Sequence, residues 1–88
     1  METRKVYSFW VVTLKRIVDD VMNEESRSYH EKEEDAKRVA VSLSKMWLDD
    51  PWTYLVTTDY NGIRVYNKTE DCLWAVIFIE EHKFVEVG

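Results

Sequence analysis

The stretch "CLWAVIFIE", residues 72–80, limits what this chain can become more than any other. Its side chains are apolar at odd and even positions alike, so a strand made from it has no face suited to water. Two-sided apolarity over so short a run marks a central strand, covered by a helix on one side and by something else on the other. Beyond it, "KFVEV" (residues 83–87) is expected to return as a last strand, with Glu80 opposite Lys83 and His82 in the turn.

The surest helix lies in residues 32–48. There Ala36, Val39, Ala40, Leu43, Met46 and Trp47 fall within about a third of the helical circumference, away from Lys37, Arg38, Ser42 and Lys45. Acids crowd the first turn, where they suit the helix dipole, and Pro51 disfavours helical geometry at Asp50. Val41 and Leu48 are apolar on the side of this helix, roughly 120–140° from the core face. The chain is expected either to cover them or to offer them to a partner.

Residues 5–14, "KVYSFWVVTL", read as a strand from their β-branched and aromatic content. The next stretch supports two readings. Leu14, Ile17, Val18, Val21 and Met22 share one helical face, yet the same residues also fit a strand to Val18, a turn through the acids and a short strand ending at Tyr29. β-Branched residues dominate and no capping residue precedes Leu14, so the hairpin is preferred. Later, Asn61-Gly62 predicts a two-residue type I′ turn that pairs Tyr60 with Ile63, Asp59 with Arg64 and Val56 with Asn67. The expectation is a single α+β domain over residues 1–88, an antiparallel sheet packed by one principal helix in the order β-β-α-β-β-β.

The net charge of −5 is unevenly spread: residues 19–35 carry −6 and residues 49–88 carry −5, whereas residues 1–18 and 36–48 are each +3. Such a surface repels phosphate backbones and anionic membranes, so neither nucleic acid nor membrane is expected as a direct partner. Cys72 is the lone cysteine, which fits a reducing cytoplasm. The apolar run in the first strand ends in Lys15 and Arg16 with no cleavage site after it, unlike a signal peptide, and no stretch is long enough to span a bilayer.

Chemistry finds little support. His30-Glu31 opens like a zinc-hydrolase motif, but position 34 is Glu where the second histidine ligand belongs. No loop has the alternating acids and glycine of a calcium site, and two glycines cannot build a phosphate cradle. Cys72 heads the most apolar strand, where a cysteine is usually a small hydrophobe. No catalytic, cofactor or metal residue is expected, and the chain is not expected to be an enzyme. A stacking platform of Tyr54, Arg64, Tyr66 and Lys68 is weaker than a cross-strand lattice of the same residues.

A first strand, then "RSYHEKEEDAKRVAVSL" entering a helix, then an Asn-Gly hairpin resembles small accessory and host-takeover proteins of bacteriophages, including inhibitors of host polymerases, nucleases and CRISPR effectors. The resemblance is architectural and covers residues 5–70. It implies an acidic protein-interaction module of the host cytoplasm that mimics nucleic-acid charge, with no catalytic residues to carry over. Binding to a basic protein surface is then expected through Asp19, Asp20, Glu24, Glu25, Glu31 and Glu34, with Val41, Leu48 and Trp52 as apolar anchors and Trp10 or Trp74 beside them. The alternative is an assembly module that self-associates, as a homodimer for instance, through a sheet edge or the Val41–Leu48 stripe.

Overall fold

The computed structural model describes residues 4–87. Five strands and one helix follow in the order β1 (Arg4–Val18), β2 (Val21–His30), α1 (Glu33–Leu48), β3 (Tyr54–Asp59), β4 (Gly62–Asn67) and β5 (Cys72–Val87). The strands form one antiparallel sheet in the order β2-β1-β5-β4-β3, so β5 is indeed central. The α+β class and element order match the sequence reading.

β1 and β2 form the hairpin, closed by Val18 opposite Val21. Asp19 and Asp20 take φ of 52° and 63°, the left-handed pair that a two-residue turn needs and that short polar side chains tolerate. β2 is ten residues long rather than short, because Val21 to His30 run along β1 with only Glu25 left without a partner, at a bulge beside Lys15.

Two expectations about β5 fail. It does not turn at His82 but runs straight for 16 residues, and residues 83–87 pair with the beginning of β1. Glu80 faces Val11, not Lys83. The pull is the length of β1, whose apolar residues 6–14 offer β5 a continuous partner. Nor, among the described residues, does a second element cover the outer side of β5. Among the described residues the only helix lies on one face of the sheet, over Val12, Leu14, Ile63, Val65, Ala75 and Ile77.

The β3–β4 hairpin is displaced by two residues from the expected register. Val56 faces Val65, Thr57 faces Arg64 and Asp59 faces Gly62, leaving Tyr60 and Asn61 as the loop. The Asp59 carboxylate accepts hydrogen bonds from the backbone N–H groups of Asn61 and Gly62, and this local turn displaces the type I′ arrangement. Gly62 is needed for another reason. At φ 143° a Cβ there would stand 1.8 Å from the Ile77 carbonyl oxygen. The shift is an even number, so Val56 and Val65 still share the core face.

The helix is turned slightly from the expected face. Its fully buried row is Ala36, Ala40, Ser44 and Trp47, while Met46, expected inside, is exposed. The small residues at intervals of four let the helix lie close on the sheet, and the Ser44 hydroxyl is satisfied by donating to the Val41 carbonyl at 2.8 Å. Beside Trp47, Arg16 passes its guanidinium between two indoles, 5.9 Å from the Trp47 ring and 5.4 Å from the Trp74 ring.

The molecule is drawn out to 61 × 24 × 18 Å, with a radius of gyration of 16.1 Å. A compact chain of this length would have about 12 Å. Strand lengths explain the excess. β1 and β5 outrun their outer neighbours, so residues 4–9 with 82–87 form a two-stranded ribbon at one end, and the β1–β2 turn projects from the other.

Candidate protein-binding groove

The helix begins where β2 ends, and the pairing of Trp10 with His30 on one side and Glu81 on the other fixes that level of the sheet. Trp10 points to the helix side and is half-buried against the core. Around it opens a groove of about 690 Å³ between the first half of α1, the β3–β4 loop and β5. Its lining includes Glu33, Lys37 and Val41 from the helix, Asp59 and Tyr60 from the hairpin, and Glu80 and Glu81 from β5. A second hollow of about 570 Å³ shares Trp10, Glu33 and Lys37 and adds Glu31, Lys32 and Glu34.

Several of these charges are partly spoken for. Lys37 Nζ lies 2.9 Å from Glu33 and its ammonium is held above its usual pKa, chiefly by that hydrogen bond. Glu81 takes Lys83 at 3.5 Å and accepts a hydrogen bond from Ser8, and Asp59 lies 3.8 Å from Arg64. Glu31 and Glu34 have no ion-pair partner among the described residues. The carboxylates that the larger groove turns to the helix side are Glu33 and Glu81, beside the Lys37 ammonium, an indole and a fully exposed Tyr60, while the side chains of Asp59 and Glu80 turn to the other face of the sheet.

Of the residues expected to bind a partner, the structure brings Glu31, Glu34 and Val41 to this place. Val41 is 54% exposed, so no segment of the described chain covers it. The others are dispersed. Asp19 and Asp20 sit at the tip of the β1–β2 hairpin, nine positions along β1 from Trp10, which is about 30 Å of strand. Glu24 and Glu25 lie between, ion-paired to Arg27 at 2.7 Å and to Arg16 at 3.9 Å. Leu48 and Trp52, both exposed, stand at the far end of the helix. The acidic stretch 19–35 is therefore not one face, because a hairpin carries its turn and its ends to opposite poles.

The aromatic platform also comes apart. Tyr54 is half-buried against Trp74 on the helix side, with ring centroids 6.1 Å apart, whereas Tyr66 faces the other way and donates to Asp71, which raises its phenol pKa. Lys68 bonds the Pro51 carbonyl. Sequence reasoning missed Glu33, Lys37, Tyr60 and Glu81 as members of one site. The signal that would have found them is the pairing of Trp10 with Glu81, which depends on β1 lying beside β5. No group of three or more metal-ligating side chains occurs among the described residues, and no helix there is long and apolar enough to cross a membrane. No protein-family model, curated protein or solved structure matches the chain.

Proposed function

We propose that this chain is a protein-interaction module whose acidic groove takes an arginine- or lysine-bearing segment of a partner, and that it thereby inhibits or modulates a protein that handles nucleic acid. The observation that carries the reading is the convergence of Glu31, Glu33, Glu34 and Glu81 around Trp10. An indole face attracts a guanidinium or ammonium, and carboxylates around it complete charge-assisted hydrogen bonds. The same donors, in a nucleic-acid channel, are built to meet phosphates, so a carboxylate-lined groove competes for them. This is the mode the bacteriophage inhibitors suggest.

The test compares an arginine-rich peptide with its citrulline counterpart, which keeps the shape and loses the charge. The arginine peptide is expected to bind, more weakly as salt rises, and to lose about tenfold or more in Glu31/Glu33/Glu34/Glu81→Gln. The corresponding neutral variant of Asp19, Asp20, Glu24 and Glu25 keeps its affinity. Equal binding of both peptides, or equal binding by both variants, removes the groove from the account.

A further inference from the structure

The face of the sheet turned away from the helix is built from side chains that do not suit water. On β1 it carries Tyr7, Phe9 and Val11; on β5, Phe78 and Phe84; on β2, Tyr29. Tyr7 stacks on Phe84 with centroids 5.0 Å apart, and Phe9 touches Phe84, His82 and Tyr29 at 6.1, 5.3 and 6.3 Å. An antiparallel face meant for solvent alternates with polar residues, and this one keeps 64% of Tyr29 and 51% of Phe84 in water.

Charge distinguishes this face from the rest of the chain. By strand alternation it bears Lys5, Lys15, Arg27 and Arg64 against Glu24, Asp59, Glu80 and Glu86, so it is balanced within a chain of net charge −5. Arg27 pairs with Glu24 at 2.7 Å, Arg64 with Asp59 at 3.8 Å, and His82 with Glu80 at 3.5 Å. A strongly basic or acidic partner gains nothing here, whereas a second copy meets no net repulsion.

Shape and register point the same way. Phe9, Thr13, Lys15, Arg27 and Phe78 help to line a hollow of about 380 Å³ on this face, and the exposed Tyr7–Phe84 pair stands on the same two strands. The two places are marked by the pairs Tyr7–Phe84 and Thr13–Phe78, six positions and about 20 Å apart. We infer that two copies pack face to face through these helix-free surfaces, about a twofold axis that crosses the strands at the level of Trp10 and Glu81. That operation lays Tyr7 and Phe84 of one copy over Thr13 and Phe78 of the other, in both directions, as an isologous interface requires. It also sets His82, paired with Phe9, over Glu80 of the second copy, paired with Val11. The footprint, some 30 Å of strand by two to three strands, is about 400 Å² per copy or about 800 Å² in all, below the range of stable interfaces, so the dimer is a weak, transient one that forms at high concentration. The acidic grooves, on the helix side, stay open.

Sedimentation of the whole chain over a range of concentrations tests this, independently of any binding by the groove. The wild type is expected to pass from monomer to dimer. Phe84→Ser, at an exposed ribbon position, keeps the circular dichroism spectrum and weakens association by about tenfold or more. Glu80→Lys weakens it as well, and the swapped pair Glu80→Lys with His82→Glu restores it. Val41→Glu, on the helix flank, leaves it unchanged. A monomer at every concentration, a folded Phe84→Ser that still dimerises like wild type, or loss of the dimer in Val41→Glu instead, each overturns the proposal.

Discussion

The two faces of the sheet are made by alternate residues of the same strands and have opposite characters. On the helix side, Val12, Leu14, Val65, Ala75 and Ile77 pack under Ala36, Ala40 and Trp47, and the surrounding rim is acidic. On the other side, Val11 and Val76 are nearly as buried, but their shelter comes from neighbouring side chains such as Lys15, Arg27, Tyr29 and Phe78, and no helix or strand of the described residues lies above them. The difference teaches what burial means here. A helix braces one set of side chains from above, while the other set is shaded only by the long side chains beside it.

That contrast can be broken at adjacent residues of β5. Ile77→Ala opens a cavity beneath the helix and is expected to cost about 2–5 kcal/mol in urea denaturation. Val76→Ala, with its neighbour's degree of burial but a face free to collapse, is expected to cost about 1 kcal/mol. Equal losses would mean that the open face is braced as firmly as the core. Gly62→Ala probes backbone in place of side chain. The added methyl meets the Ile77 carbonyl, so about 2–3 kcal/mol should be lost by the same measurement. A neutral result there would show that the β3–β4 hairpin can shift register without strain. The smallest effect belongs to the projecting tip. Replacing Asp19-Asp20 by Asn-Gly relieves left-handed strain and like charge, and should stabilise by roughly 0.5 kcal/mol. A destabilised variant would mean that the two aspartates hold the turn by contacts of their own.

Much of the fold was legible because it rests on local rules. The β-branched residues from Val6 to Val18 indicate a strand, the apolar spacing of residues 36–47 gives the helix, and the Asn-Gly pair marks a hairpin within two residues of its true register. Misreadings arose where a distant partner decided. β5 fails to turn at His82 because β1 lies beside it, and Met46 is outside because Ser44 fits the sheet more closely. The candidate groove was only partly legible for the same reason. Glu31 and Glu34 stand close in sequence, but Glu81 and Tyr60 join them only through the pairing of distant strands.

The sequence by itself determined the kinds of elements, their order and the two-sided apolarity of residues 72–80, because turn chemistry and hydrophobic period act over a few residues. Only the tertiary structure decided that the acids of residues 19–35 part to opposite poles, that Trp10 gathers carboxylates from other segments, and that no helix among the described residues covers the outer face of β5. Those outcomes depend on strand order and register, and pairing energy between distant segments sets both.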